Sequence, residues 1–213
     1  VVDDCSKDDS LSLIQQKAQS DKRIKVIALE HNAGVANARN VGIKEAKGEF
    51  IALLDNDDLW AEDKLERQLA LARNGADIVY CSYDFIDEQN KPIKKPFIVP
   101  QQANFNKMLV SSVISCSTSF IKTELMQRHP FNADFYHEDY VLWMELLRVC
   151  PTAYGDEKML MHYRQVTGSR SNKKSNAAKE RWNTYRKALN LNTVASMWAF
   201  VRYAVNGVMK YYL

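Results

Sequence analysis

Residues 50–58 read Phe-Ile-Ala-Leu-Leu-Asp-Asn-Asp-Asp, an uninterrupted apolar run that ends in three carboxylates within four residues. Five apolar residues in a row, without alternation, are typical of a strand that is buried on both faces of a sheet. The abrupt change to acidic residues marks the end of that strand. Because ligands of α/β proteins bind beyond the carboxyl ends of parallel strands, this stretch also predicts where the functional site lies.

Further out, the chain predicts alternating strands and helices. Strands are predicted to end at Val2 and to cover residues 24–29, 50–54 and 78–83. Helices are predicted over about ten residues from Ser10, over residues 34–46 and over residues 62–74. This order predicts an α/β fold, in which a mostly parallel sheet is flanked by helices.

Glycines and apolar residues add local detail to the second and third of these helices. Gly48 is predicted to close the second helix and Gly75 the third, because glycine readily adopts the left-handed conformation found after a helix end. Leu65, Leu69 and Ala72 are predicted to form the buried stripe of the third helix.

The second half of the chain is less regular in sequence. It predicts, in order, an edge segment at Lys91–Pro100, a helix at Phe105–Val110, a strand at Cys116–Ile121, a helix at Glu138–Val149 and a strand at Met159–Tyr163. Residues 168–178 are polar and without periodicity, which predicts a loop. Helices at Lys179–Leu189 and Leu191–Tyr212 follow, so we divide the chain into a domain at 1–168 and a basic, aromatic-rich helical extension at 169–213.

The net charge of +3 hides a strong asymmetry along the chain. Residues 1–157 carry 18 basic and 25 acidic side chains, whereas residues 158–213 carry 11 basic side chains and one acidic side chain. An acidic body with a basic extension predicts a contact with something anionic, such as a phosphate group or a membrane surface. Nucleic acid is a weaker candidate, since no nucleic-acid-binding motif accompanies the charge.

Composition argues against several classes of protein and site. No run of eighteen uncharged apolar residues exists, so a membrane-spanning helix is not predicted, and the opening residues do not predict a secretory signal. The cysteines are at least 34 residues apart and the histidines lack zinc-site spacing, which argues against a C-x-x-C motif and a zinc site. Buried free thiols in a reducing, cytoplasmic compartment are therefore expected.

Asp55 and Asp57 stand two residues apart at the end of the apolar strand. Side chains at this spacing point to the same side, where two carboxylates repel unless a cation lies between them. Mg²⁺ or Mn²⁺, which prefer oxygen ligands, suit such a pair. The alternative is that Asp57 or Asp58 only caps the following helix, which explains one of the aspartates but not all three.

Two further acidic pairs could likewise serve either a functional or a purely structural role. Asp3 and Asp4 follow the first strand, where they fit either a ligand contact at the same sheet edge or a simple turn. Glu138 and Asp139 open a helix, where acidic residues are favoured by the helix dipole. A carboxylate among apolar and acidic neighbours can instead serve as a general base.

Short motifs in a particular order carry a family resemblance. They are Val1–Ser6, Asn32-x-Gly34 with Ala38-Arg39-Asn40-x-Gly42-Ile43, Gly48–Ile51 running into Leu54–Asp58, His137-Glu138-Asp139 with Leu142-Trp143, and Tyr163-Arg164. Over residues 1 to about 171 they resemble glycosyltransferase family 2, whose members have the Rossmann-like GT-A fold. Each motif alone is common, and the resemblance is specific because they occur together in the family's order and spacing.

The resemblance implies an inverting, metal-dependent transfer of a sugar from a nucleotide-diphosphate donor, most often a UDP-sugar, to an acceptor hydroxyl. Asp4, with Asp3 beside it, would contact the nucleobase, and Arg39 would lie near the nucleotide. In the family's Asp-x-Asp motif, Asp55 would touch the ribose or the metal. Asp57 would bind the Mn²⁺ or Mg²⁺ that bridges the diphosphate.

Three further residues receive roles from the same resemblance. Asp139 would be the base that deprotonates the acceptor hydroxyl, and Glu138 would lie beside it at the substrate. Arg164, or Arg170, would clamp the diphosphate. The implied setting is the synthesis of cell-surface polysaccharide or glycolipid, with a glycan or lipid-linked acceptor.

The sequence departs from the family pattern in three places. The strand and helix that usually precede the Asp-Asp motif are absent, which leads us to expect a chain that lacks its first part. Cys5 stands where the family commonly has glycine, and Val166 stands where many members have histidine.

The end of the chain is open to two interpretations. Residues 191–213 hold five aromatic side chains and only two charged ones, and they follow a basic stretch. They predict either a helix docked on the core or a helix that contacts an anionic membrane surface. The second would place the protein peripherally on the inner face of the plasma membrane.

Two other functions compete with glycosyl transfer. A phosphatase or phosphotransferase of the haloacid-dehalogenase type also uses Asp-x-Asp after an apolar strand, but it places a small residue and threonine next, where this chain has Asp58 and Leu59. A non-catalytic nucleotide-sugar-binding module of the same fold is the other alternative, and Asp139 together with both strand-end clusters argues against it.

Overall fold

The computed structural model describes residues 1–166 and 177–212, with side chains at 1–166 and 178–206. The predicted domain boundary at residue 168, most of the predicted loop at 168–178 and Arg170 lie outside the described residues. Within them, the α/β class predicted from the sequence is confirmed.

The described strands form two sheets. In the smaller one, β1 (Val2–Asp3) pairs in parallel with β2 (Ile27–Ala28). The larger one has seven strands: β3 (Phe50–Ala52), β4 (Leu59–Trp60), β5 (Ile78–Ile86), β6 (Pro92–Phe97), β7 (Gln102–Ala103), β8 (Phe120–Lys122) and β9 (Ala153–Arg164). Its main path runs β3-β8-β5-β9-β4, with β6 paired to β5 and β7 paired to β9.

The larger sheet is mixed, which corrects the expectation of a mostly parallel sheet. Among the described pairings in this sheet, β5 and β9 are parallel and the other five are antiparallel. β8 follows a short 3₁₀ turn at Cys116–Thr118 and enters the sheet between β3 and β5. It pairs antiparallel to both of them, so these contacts need no parallel crossover.

Helices flank this sheet and supply much of the core. They are α1 (Ser10–Ser20), α2 (Val35–Glu45), α3 (Lys64–Arg73), α4 (Phe105–Val110), α5 (Thr123–Arg128), α6 (Glu138–Val149), α7 (Ala177–Asn183), which continues into a π-helical turn (Thr184–Ala188), and α8 (Thr193–Tyr212). Eight residues of α6 are buried, among them Trp143 and Leu146. That burial anchors α6, whose first turn carries Glu138 and Asp139.

Several local predictions are confirmed and others are wrong. Gly75 follows α3 with a φ of 96°, as expected of a glycine at a helix end. Gly48 does not close α2, which ends at Glu45 with Ala46 in extended conformation. Residues 116–121 begin as the 3₁₀ turn rather than as strand.

The buried face of α3 also differs from the prediction. Leu65 is 45% exposed, and the buried positions are Lys64, Gln68 and Ala72. Lys64 donates from Nζ to Gln68 Oε1 at 2.6 Å and lies over the ring of Trp60. Because these polar groups satisfy one another, they are tolerated inside, although burial lowers the pKa of Lys64 to about 8.

The helical extension is docked on the rest of the protein. Tyr185 donates its hydroxyl to the carbonyl of Leu109 at 2.7 Å, and the side-chain amide of Asn206 donates to the carbonyl of Val110 at 2.9 Å. Arg181 stacks on Tyr140 of α6, with its guanidinium carbon 3.9 Å from the ring centroid. The docking interpretation of the extension is therefore confirmed for its inner face.

All four cysteines are free thiols, as predicted. Cys81 and Cys116 are buried, as expected, whereas Cys5 and Cys150 are partly exposed, which corrects the expectation of burial for these two.

Candidate active site

The loop after β1 is fixed by the first pair of predicted acidic residues. The Asp4 carboxylate accepts hydrogen bonds from the backbone N–H groups of Ala33 and Gly34, each at 2.8 Å. Asn32 donates its side-chain amide to the carbonyl of Asp4 at 2.9 Å. Asp3 is buried and accepts from the backbone N–H of Ser6 at 3.1 Å. These contacts shape the loop that leads into α2, and the nucleobase contact of Asp4 remains a prediction.

Cys5 has a φ of 60°, in the left-handed region. Glycine adopts this conformation without steric cost, whereas a residue with a Cβ atom is strained there. The backbone at this position thus accounts for the glycine of the resembling motif.

Arg39 contacts two acidic residues that lie 16 and 99 positions further along the chain. Its Nη2 donates to Asp55 Oδ1 at 2.7 Å, and its Nη1 donates to Glu138 Oε1 at 3.0 Å. The guanidinium lies 5.2 Å from the ring centroid of Phe131. Burial alone would lower the pKa of Arg39, but the charge and hydrogen bond of Asp55 and the charge of Glu138 raise it above its ordinary value. Arg39 therefore stays charged and brings the end of β3 to the first turn of α6.

Asn40 supports this bridge from the next position on α2. Its side-chain amide donates to the carbonyl of Phe131 at 2.9 Å, and its side-chain oxygen accepts from the N–H of Phe131 at 2.8 Å. This reciprocal pair fixes the segment that runs into α6, which explains why arginine and asparagine occur together in the motif.

Asp139 lies in the first turn of α6, half-buried beside the bridge. Burial raises the pKa of its carboxyl group, and the neighbouring charge of Glu138 raises it further. The backbone N–H of Tyr140 and the charge of Arg39 act in the opposite direction. A raised pKa makes a carboxylate a stronger base, which is the property that proton abstraction requires.

The three aspartates in the turn after β3 lie in different surroundings. Asp55 is tied to Arg39, and its backbone N–H donates to Ser117 Oγ at 3.0 Å. Asp58 is buried, and its carboxylate accepts from the backbone N–H of Arg164 at 3.0 Å and from the Ser117 hydroxyl. Asp57 is exposed, and its carboxylate accepts no hydrogen bond from the described residues.

The carboxylate oxygens of this turn suit a hard divalent ion whose remaining ligands are waters and substrate phosphates. No three metal-binding side chains cluster among the described residues. Mg²⁺ and related ions commonly bind through only one or two carboxylates, with waters and substrate phosphates completing the shell. The carboxylate of Asp57, which has no hydrogen-bond partner among the described residues, and the second oxygen of Asp55 match that arrangement.

Arg164 lies beside the turn that holds Asp55 and Asp57, and its guanidinium group donates hydrogen bonds to backbone carbonyls. It donates from Nε to the carbonyl of Asp57 at 2.8 Å and from Nη1 to the carbonyl of Asp87 at 2.9 Å. It thereby braces the aspartate turn against the turn between β5 and β6. The diphosphate clamp remains a prediction.

Ser117 is a site residue that the sequence analysis missed. It is buried, its hydroxyl contacts both Asp55 and Asp58, and its carbonyl accepts from Trp60 Nε1 at 2.7 Å. Neighbouring Thr118 offers its carbonyl to the side-chain amide of Gln68 at 2.8 Å. The run Ser115–Ser119 is unusually rich in small hydroxyl residues for a buried segment, and this was the available signal.

Asp58 gives the protein a pH dependence with a defined sign. Burial raises the pKa of its carboxyl group to about 6, against opposing hydrogen bonds from Ser117 and Arg164. The folded protein therefore holds this proton more tightly than the unfolded chain, so the contribution of Asp58 to stability falls as pH rises from about 4 to about 6.

We expect Asp58→Asn to remove this dependence in urea unfolding experiments across that range. Asp134→Asn, at an exposed aspartate, is the control and should leave the slope unchanged. An unaltered slope in Asp58→Asn would show that the carboxyl group ionises normally.

Comparison with known proteins identifies the family. A family model described as Glycosyl transferase family 2 matches residues 1–129. The chain belongs to glycosyltransferase family 2. It is 35% identical over 211 residues to TuaG of Bacillus subtilis (strain 168), a glycosyltransferase assigned to teichuronic acid biosynthesis, and the match covers 99% of the chain and 84% of TuaG.

A second relative of this glycosyltransferase carries a full reaction in its name. It is the UDP-Glc:α-D-GlcNAc-diphosphoundecaprenol β-1,3-glucosyltransferase WfgD of Escherichia coli, 33% identical over 214 residues, covering 99% of the chain and 82% of WfgD. Membership of family 2 sets aside the haloacid-dehalogenase alternative.

Solved structures confirm the GT-A fold. The S. aureus TarS fragment 1–349 in complex with UDP-GlcNAc superposes with a TM-score of 0.72 at 18% identity, and the match covers 99% of this chain and 63% of that fragment. The mannosyltransferase PcManGT of Pyrobaculum calidifontis, in complex with GDP-Man and Mn²⁺, gives 0.67 at 17% identity, covering 99% and 65%. This glycosyltransferase thus spans less than two thirds of either structure.

Proposed function

We propose that this glycosyltransferase moves a sugar from a UDP-sugar to an acceptor hydroxyl with inversion, in a reaction that depends on Mn²⁺ or Mg²⁺. The main support for the proposal is the pair of salt bridges that Arg39 makes with Asp55 and Glu138, which we call the Arg39 bridge. The bridge brings the Asp-x-Asp turn and the first turn of α6, with Asp139, to one place. A donor site and an acceptor base must lie together for direct transfer.

The Asp-x-Asp turn is the proposed donor side. Asp57, which is exposed and has no partner among the described residues, and Asp55 would hold the divalent ion. The ion would supply Lewis acidity that neutralises charge developing on the departing diphosphate. Arg39 keeps Asp55 in place, and Ser117 and Arg164 fix the backbone of the turn. Asp4 and Asp3 shape the loop where the nucleobase is proposed to bind.

Asp139 is the proposed base. Its carboxylate would take the proton of the acceptor hydroxyl as that oxygen attacks the anomeric carbon, while the bond to the diphosphate breaks. One displacement inverts the anomeric centre, and it requires a single carboxylate rather than a base and a nucleophile. Burial and the neighbouring charge of Glu138 raise the pKa of Asp139 and so favour this step.

We assign the acceptor to the lipid-linked class and the process to cell-surface polysaccharide or glycolipid synthesis. The names of WfgD and TuaG support this assignment. Such an acceptor would place residues 1–168 as a catalytic domain on the inner face of the plasma membrane, with 169–213 as the part nearest the lipid. Free thiols suit the reducing compartment on that side.

A thermal-shift titration with UDP, GDP and dTDP, each with and without Mn²⁺, tests the donor assignment. A ligand at about a hundredfold excess over its Kd stabilises the native state by roughly 2.7 kcal/mol, or roughly 5–10 °C for a chain of this size. We expect the shift with UDP and Mn²⁺ together. A cooperatively melting protein that responds to none of the nucleotides would contradict the proposed donor.

Asp57→Ala is expected to abolish the part of the UDP shift that depends on Mn²⁺, because it removes the free carboxylate of the turn. The variant should melt close to wild type without ligand, since Asp57 is exposed. Glu62→Ala, at an exposed acid nearby, should keep the metal-dependent shift. Retention of the full shift in Asp57→Ala would remove Asp57 from the metal site.

A further inference from the structure

The outer face of α8 is apolar and open to solvent. Five residues on it are between 51% and 78% exposed: Val194, Met197, Trp198, Val201 and Val205. Met197 and Trp198 are adjacent and the other successive members are three or four residues apart, which places all five on one side of the helix. We call these five residues the α8 stripe. It groups five exposed apolar side chains on one face of a single helix.

The opposite face of the same helix is already occupied. Ser196 and Ala199 are fully buried, Phe200 packs against the core, and Asn206 bonds to the carbonyl of Val110. The helix is thus held in place by its inner face. The stripe cannot turn inward without breaking these contacts, so it needs an external partner or stays in water.

Charge indicates which partner fits. Residues 193–212 contain no acidic side chain, and Arg202, exposed beside the stripe, lies 5.2 Å over the ring of Trp198. The chain from residue 158 onward is strongly basic. Basic residues next to exposed tryptophan and aliphatic side chains are the composition of helices that lie in the interface of anionic membranes.

A second copy of the chain fits this surface less well. In a two-fold contact the same patch faces itself, so Arg202 and its basic surroundings would approach their own copies. No acidic residue on α8 is available to neutralise them. Like charges brought together in an apolar contact oppose association.

We propose that the α8 stripe seats this glycosyltransferase on an anionic lipid bilayer, with the helix lying in the plane of the interface. Among the described residues, no helix combines the length and the apolar character needed to cross a membrane. The stripe would bury its side chains among the acyl chains while Arg202 stays at headgroup level. This inference deepens the proposed function, since a lipid-linked acceptor is found only at such a surface.

Flotation with lipid vesicles tests the proposal without any turnover. The protein should float with vesicles of phosphatidylcholine containing about a third phosphatidylglycerol, and much less with pure phosphatidylcholine or at high salt. Val201→Glu places a charge in the middle of the stripe and should weaken the partitioning about tenfold or more. Leu13→Glu, at an exposed leucine of α1, is the matched control and should float like wild type.

Two readouts separate this proposal from its alternatives. The rise in melting temperature caused by UDP and Mn²⁺ should be the same in Val201→Glu as in wild type, and its loss would indicate damage to the fold. If the wild-type protein floats but its melting temperature does not respond to UDP, the result counts against the donor proposal alone. Flotation of Val201→Glu at the wild-type level would overturn the role of the stripe. A dimer in light scattering that Val201→Glu dissociates, with no flotation of wild type, would show that the stripe binds a second copy.

Discussion

Replacing Asp139 with asparagine is expected to lower the turnover number about a thousandfold or more, while the Kd for UDP stays within about twofold of wild type. Asparagine has the same shape but cannot accept the acceptor's proton. It also keeps an oxygen for the hydrogen bond that Asp139 accepts from the backbone N–H of Tyr140 at 2.7 Å. Turnover is measured as UDP released from a UDP-sugar, and binding by calorimetry with Mn²⁺.

Glu145→Gln is the matched control for this prediction. Glu145 lies about two turns further along the same helix, is partly exposed and takes no part in the ion pairs of Arg39. It should leave both turnover and binding near wild type. If Asp139→Asn instead lost UDP binding or cooperative unfolding with turnover, Asp139 would be a helix-capping residue and the base would have to be found elsewhere.

Replacing Arg39 with methionine is expected to lower the free energy of unfolding by about 3 kcal/mol. Methionine keeps an aliphatic stem beside Phe131 but removes the charge that faces Asp55 and Glu138. Glu138 is 4% exposed at its side chain, so it would lose a buried ion pair, whereas Asp55 is 35% exposed and loses less. The measurement is urea unfolding at neutral pH.

The deficit of Arg39→Met should shrink as the solution is acidified. Arg39 holds down the pKa of Asp139, so removing it lets that pKa rise further above its value in the unfolded chain. A raised folded-state pKa contributes stability at low pH that is lost as pH rises, which makes the variant's deficit largest at neutral pH. A deficit that is constant or grows on acidification would contradict the electrostatic explanation.

Arg23→Met provides the control for Arg39→Met. Arg23 also pairs with an aspartate, Asp21, but on the surface, where its side chain is 91% exposed. Ion pairs of this kind contribute little, so its unfolding curve should match wild type. If the two substitutions lowered the free energy of unfolding equally, burial would not strengthen the ion pairs of Arg39.

Much of the fold could be predicted from local pattern. α6 begins and ends at the predicted residues, Glu138 and Val149, because its apolar stripe, acidic first turn and flanking residues all agree. The third helix ends at Arg73, and Gly75 follows it in the left-handed conformation, as the sequence predicts. Sheet direction could not be predicted in this way, since the pairing of β8 depends on contacts between residues far apart in sequence.

The buried face of α3 shows why composition misleads about burial. Leucine at position 65 is more apolar than Lys64, yet Lys64 is the buried residue. The reason lies in Trp60 and Gln68, which provide a ring face and an amide oxygen for the ammonium group. Such a partner set depends on three-dimensional geometry, so no single-residue preference reveals it.

In the site, too, the sequence reveals residues that stand out in local pattern but not the contacts between residues far apart in the chain. The acidic residues could be selected from sequence because they form clusters where predicted strands end and where a predicted helix begins. The contact of Arg39 with Glu138 spans 99 residues, and the contact of Ser117 with Asp55 spans 62. Neither spacing has a periodicity, so the links that unite the site become visible only in the fold.

The central claim is that Asp139 drives a single displacement at a donor bound by the Asp-x-Asp turn. The most direct test supplies UDP-glucose or UDP-GlcNAc without an acceptor, to an excess of protein with Mn²⁺, so that water takes the acceptor's place. Proton NMR then identifies the first anomer of the released sugar before it equilibrates. We predict the β-anomer from these α-linked donors, and no release in Asp139→Asn. Release of the α-anomer first, or an equal rate in Asp139→Asn, would contradict the account.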